Sequence, residues 1–133
     1  MVELEIEDPL IKETKRLGAI DRSKMLKTFS EFDWEGMNRK LEEGNPDDFF
    51  HSPTMYFKDR ANEMEICFSL LGRTENFNFL AFYVRSKTVK GFLGFGEKEK
   101  KVVSDLELSF EHCKAMLKEF AEMDRNALEK RFA

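Results

Sequence analysis

The run Met64-Glu65-Ile66-Cys67-Phe68-Ser69-Leu70, followed by Phe77-Asn78-Phe79-Leu80-Ala81-Phe82-Tyr83-Val84-Arg85, decides the fold class. In the first stretch Met64, Ile66, Phe68 and Leu70 fall on every second position, with Glu65, Cys67 and Ser69 between them. Side chains of a strand alternate between two faces, so this period of two reads as a strand with one apolar face. In the second stretch Phe77, Phe79, Ala81 and Tyr83 line one face while Leu80, Phe82 and Val84 line the other. A strand apolar on both sides needs cover on both sides, which places residues 77–85 in the interior of a sheet between two layers. Helices supply one layer in this reading, and the N-terminal helices or a partner subunit supply the other.

The same alternation extends from Thr54 to Leu108. Met55 and Phe57 lead a strand, Asp59 to Asn62 form a turn, and Gly72 to Asn76 form a second. Residues 89–95 and 101–108 are expected to pair as a hairpin around Gly96-Glu97-Lys98-Glu99-Lys100. At the N-terminus Val2, Leu4 and Ile6 alternate with Glu3, Glu5 and Glu7, the pattern of a short edge strand with one wet face.

Helical signals flank the sheet. Asp8-Pro9 is an N-cap and first-turn pair, and Leu10, Ile11, Thr14 and Leu17 recur at helical spacing as far as Gly18, predicting a helix over 9–17. Over 21–32, Met25, Leu26, Phe29 and Phe32 fit a helix face, while Met25, Lys27 and Phe29 also fit a strand; helix is the expectation. Asp33 is placed to cap a helix bearing Trp34, Met37 and Leu41 that stops at Gly44. Ser109 caps another, with Phe110, Cys113, Leu117 and Phe120 on one side, and Asp124 opens a final short helix carrying Leu128 and Phe132. The expected architecture is a single α+β domain over 1–133: a mainly antiparallel meander of about five strands, with N-terminal helices and a C-terminal helix packed on it.

With 133 residues, 41% of them hydrophobic and 14 of them Phe, the chain has the means to build a Phe-rich core. A formal charge of -4 disfavours duplex nucleic acid, whose affinity comes mainly from basic side chains displacing counterions. No apolar run has the length that membrane insertion needs, and the N-terminus lacks a secretion-signal pattern, so a cytoplasmic location is expected. Cys67 and Cys113 stand far apart in sequence, outside any metal or redox motif, and are expected as buried free thiols.

No motif announces a reaction or a cofactor. Asp47, Asp48 and His51 approach a ligand set for a divalent ion but lack a second His or a Cys pair, and turn chemistry explains them equally well. His112 and Cys113, adjacent on a helix, point about 100° apart and cannot form a nucleophile–base dyad. Gly91-Phe92-Leu93-Gly94-Phe95-Gly96 lies within the expected hairpin, not between a strand and a helix, so it reads as strand bends more than as a phosphate cradle.

Charge is segregated. Arg85, Lys87, Lys90, Lys98, Lys100 and Lys101 gather near Phe92 and Phe95, an arrangement that also suits stacking of single-stranded nucleic acid. Acids gather at the N-terminus and over Glu31 to Asp48. The reading that follows is a noncatalytic acidic protein-binding module, of inhibitor, immunity-type, chaperone or adaptor kind, whose partner is another protein or a second copy. Glu42, Glu43, Asp47 and Asp48 are its expected partner-binding residues, because they match the sign of the whole chain. The alternative is a small-molecule binder or enzyme with a pocket between sheet and helices, using Tyr56, Cys67, Tyr83 and Arg85 for polar contacts.

Overall fold

The computed structural model describes residues 1–72, 77–90 and 97–133, with backbone alone at 88–90 and 97–100. Six strands form one antiparallel sheet: β1 (Val2–Glu7), β2 (Lys15–Ile20), β3 (Thr54–Asp59), β4 (Met64–Leu71), β5 (Asn78–Lys90) and β6 (Glu97–Leu108). Their order across the sheet is β2-β1-β3-β4-β5-β6. Two helices, α1 (Met25–Glu31) and α2 (Trp34–Glu43), lie between β2 and β3 in sequence, and α3 (Phe110–Ala121) and α4 (Arg125–Arg131) follow β6. None of the helices is long and apolar enough to cross a membrane. The α+β class and the antiparallel meander match the reading of the sequence, with six strands in place of about five.

The core lies between one face of the sheet and the helices. Val2, Leu4, Met55, Phe57, Ile66, Phe68, Phe79, Ala81 and Tyr83 are buried there, facing Met25, Phe29, Trp34, Cys113, Met116, Leu117, Phe120 and Leu128. Phe29 is the hub: its ring centroid lies 4.8 Å from that of Phe68, 5.5 Å from Phe79 and 5.4 Å from both Trp34 and Phe110. Trp34 Nε1 donates to Phe29 O at 2.9 Å, so the one buried polar atom of the indole is satisfied and α2 is joined to α1.

Three helix starts follow the capping residues read in the sequence. Asp33 accepts from Gly36 N, Ser109 from His112 N and Asp124 from Ala127 N, each satisfying an amide that has no partner within its helix. At Gly36 a β-carbon would fall 2.1 Å from Asp33 Oδ2, so glycine is what lets that cap close.

The structure corrects the sequence reading in four places. Residues 9–17 are not a helix: Asp8 turns the chain by accepting from Leu10 N at 2.9 Å, and Lys15–Ile20 then pairs with β1. The helical spacing of Leu10, Ile11, Thr14 and Leu17 was too short a pattern to compete with the hydrogen bonds offered by a neighbouring strand. Gly18, with φ +93°, belongs to an irregular strand pair and not to a helix end. As a consequence β1 is interior, and β2 takes the edge.

β5 also runs unbroken to Lys90, and β6 begins at Glu97, so residues 97–100 are strand and not the hairpin turn. The glycine-rich segment 91–96 and the turn residues 73–76 lie outside the described residues. Finally, among the described residues no second layer covers the other face of β5. The helix contacts on the sheet run through the face of Phe79, Ala81 and Tyr83, while Leu80, Phe82 and Val84 remain partly exposed among the described residues.

Candidate functional site

The exposed large apolar side chains concentrate beside the β1–β2 turn. Leu10, Ile11, Leu17 and Phe50 are 51%, 47%, 45% and 56% exposed. Ile11 and Leu17 form one wall of a groove of about 290 Å³, whose other wall is Thr28 and Phe32 at α1 together with Met37 of α2. Leu4, Ile6 and Met55 are its buried floor. The groove therefore exists because residues 9–17 turn back as a strand: β2 and its turn stand apart from α1 and α2, and the core shows between them.

Asp8 ties the mouth together. Its Oδ2 pairs with Lys40 Nζ of α2 at 2.9 Å, while its Oδ1 holds the turn at Leu10. Burial works against ionisation of Asp8, but the Leu10 amide and the Lys40 ammonium outweigh it and hold the carboxyl below its ordinary range. Beyond α2 the chain passes through a 3₁₀ turn, Pro46–Asp48, capped by Asn45. Phe50 N then donates to Pro9 O at 2.9 Å, fixing this segment against the β1–β2 turn. Glu42, Glu43, Asp47 and Asp48 are all exposed on it. The acidic segment singled out from the sequence thus leads into an exposed Phe50 held against the β1–β2 turn, although Glu42, Glu43, Asp47 and Asp48 do not themselves line the groove.

The other candidates fall elsewhere. Tyr56 and Cys67 are cross-strand partners on the face of the sheet away from the helices. Tyr83 and Arg85 point the opposite way, into the helix layer, where both are buried. The four do not line a common pocket. Tyr56 Oη donates to Glu7 Oε1 at 2.6 Å, and burial, followed by that acceptor, raises its phenol above the ordinary range. His51 belongs to the same cluster, with Nδ1 3.1 Å from Glu7 Oε2 and Nε2 2.6 Å from Lys12 O, rather than to Asp47 and Asp48. No group of three or more His, Cys, Asp or Glu suited to a metal occurs among the described residues.

Cys67 and Cys113 are free, buried and on opposite sides of the sheet, and burial pushes each thiol up to about 12. His112 Nδ1 meets Ser109 Oγ at 3.1 Å, in the cap of α3. Of the basic cluster, Arg85 and Lys87 both pair with Glu129, and Lys101 is exposed; the side chains of Lys90, Lys98 and Lys100 lie outside the described residues.

The open face of the sheet is polar over β1 and β3 and apolar over β5. Glu3 pairs with Arg60 at 2.7 Å, and Lys58 bridges Glu5 at 2.5 Å and Glu65 at 3.7 Å. The Glu3–Arg60 pair is exposed and contributes modestly to stability, whereas Glu5 is buried and its pairing with Lys58 offsets the cost of its desolvation. Comparison with known proteins adds no relative: no family model, no curated protein and no solved structure matches this chain.

Proposed function

We propose that this chain is a noncatalytic protein-binding module, and that the groove between β2 and the α1–α2 pair holds a short amphipathic segment of a partner protein. The observation that carries this reading is the coincidence of exposed Ile11, Leu17 and Phe50 with exposed Glu42, Glu43, Asp47 and Asp48. Apolar side chains inserted between Leu17 and Met37 supply affinity by leaving water, while the carboxylates attract basic residues flanking that segment and speed encounter. Apolar groups with basic neighbours are the complementary chemistry.

The small-molecule alternative has less support, since Tyr56 and Cys67 are separated from Tyr83 and Arg85 by the sheet itself. The cytoplasm is the proposed location, where Cys67 and Cys113 stay as thiols.

Panning a displayed library of random short peptides on the full chain tests the proposal. Selected peptides are expected to combine spaced apolar residues with a net positive charge, and to be lost when Ile11→Asp and Leu17→Asp are introduced into the folded protein. Reversal of Glu42, Glu43, Asp47 and Asp48 to lysine is expected to slow association of those peptides and weaken its salt dependence. Peptides without basic bias, or binding indifferent to the Ile11 and Leu17 substitutions, would overturn the assignment.

A further inference from the structure

The two edges of the sheet are built differently. At β2 the pairing with β1 shifts register between Leu4 and Glu5, Gly18 stands at φ +93°, and Arg16 is engaged with Glu5 at 3.4 Å. Irregular pairing and basic side chains are devices that discourage a further strand from adding. β6 also carries Lys98, Lys100 and Lys101, but it lacks the register shift. Its register with β5 runs without a shift from Phe79↔Leu108 to Lys90↔Glu97, and its outer edge has no partner strand among the described residues.

The charges on that edge are ordered and uncommitted. Lys101 lies toward the start of β6 and Asp105 and Glu107 toward its end, all exposed on the open face of the sheet. Among the described residues Lys101 and Asp105 form no ion pair, and Glu107 meets only Asn78 Nδ2, at 3.5 Å. Between them Val103 is 59% exposed, and on the opposite face Leu106 is 36% exposed. Over residues 101–107 this edge carries a cation at its start and two anions at its end, and such a segment is complementary to itself when reversed.

We propose that β6 pairs antiparallel with β6 of a second copy of this chain, about a two-fold axis at Ser104, joining two six-stranded sheets edge to edge. A two-fold perpendicular to the sheet keeps the open faces together and the helix layers together. In this register Lys101 opposes Glu107 of the partner subunit, and Val102 opposes Leu106 of the partner subunit, each contact occurring twice. Cross-strand ion pairs and apolar pairs are the units by which sheets are stabilised, and the added backbone hydrogen bonds satisfy an otherwise bare edge. The groove beside β2 lies at the far edge of each copy, so the dimer presents two grooves.

Sedimentation equilibrium and native mass spectrometry of the full chain test this independently of the groove. The unmodified protein is expected to dimerise in the micromolar range. Lys101→Glu and Glu107→Lys, each checked for native circular dichroism, are each expected to raise the dimer Kd by about tenfold or more, because attraction becomes repulsion at two symmetric places. An equimolar mixture of the two variants restores complementarity, and a heterodimer tighter than either homodimer is the expected result. A monomeric unmodified protein, homodimers unaffected by both substitutions, or a mixture that fails to form the heterodimer would overturn the proposal.

Discussion

Arg85, near the middle of β5, forms a bidentate pair with Glu129 of α4: Nε meets Oε1 at 2.9 Å and Nη2 meets Oε2 at 3.1 Å. The remaining guanidinium nitrogen donates to Ser104 Oγ at 2.7 Å and to Tyr83 O at 3.2 Å, and Lys87 Nζ approaches Glu129 Oε2 at 2.9 Å. A buried cation is thereby fully partnered, and the last helix is held on the sheet. Removing one member leaves the other without its counter-charge. Glu129→Ala is expected to destabilise the protein by roughly 1.5–3 kcal/mol, the range for hydrogen bonds to charged groups, as a lower urea midpoint with an unchanged slope.

The two faces of β5 differ in what they bury, and the difference is measurable. Phe79 is fully buried in the helix layer and touches Phe29, Trp34, Phe77 and Phe110, whereas Phe82 is partly exposed on the open face. Phe79→Ala is expected to cost about 3–5 kcal/mol. Phe82→Ala is expected to cost markedly less, and comparison of the two urea unfolding curves checks the ordering.

That asymmetry also marks where the sequence ceased to be legible. The period of two over Met64 to Arg85, and the caps at Asp33, Ser109 and Asp124, were readable because strand alternation and helix starts are local physics. Whether Leu80, Phe82 and Val84 are covered is not local: their apolar character matches a buried face, yet the helices lie on the other side. Residues 9–17 read as a helix because Pro9 and the spacing of Leu10, Ile11 and Leu17 satisfy one, and only the pairing of Lys15–Ile20 with Val2–Ile6 decides against it. The acidic half of the candidate site could be read as a charge run. Its apolar half could not, since Ile11, Leu17, Phe32 and Met37 come from separate parts of the chain.

Acid should weaken the fold through identifiable carboxylates. Asp59 accepts from Asn62 N at 3.1 Å and Asn62 Nδ2 at 2.8 Å, and it pairs with Arg22, whose guanidinium also stacks over Phe120. Burial opposes ionisation of both Asp59 and Glu129, but their hydrogen bonds, from Asn62 and Arg22 to one and from Lys87 and Arg85 to the other, hold both carboxyls below the ordinary range. A carboxyl depressed in the folded state binds fewer protons there than when unfolded. Its stabilisation is complete above the unfolded value near about 4 and is lost as pH falls toward the folded one. Unfolding free energy should therefore decline below about pH 4 to 5, and Asp59→Asn should flatten that limb while lowering the neutral plateau.

The thiols should be silent in the native state. With Cys67 and Cys113 buried and pushed up to about 12, a disulfide reagent at neutral pH finds almost no thiolate. Both should react only at the rate of opening, and completely in denaturant. Rapid native labelling of Cys113 would contradict its complete burial in the core.

An amide and methyl NMR titration of the full chain with a peptide selected for binding tests the groove most directly. Perturbations are expected to concentrate on Leu4, Ile11, Leu17, Phe32 and Met37, to extend along Glu42 to Phe50, and to leave Leu80, Phe82 and Val84 unshifted. Perturbations centred on the open face of the sheet, with the groove residues unmoved, would contradict the groove as the binding site.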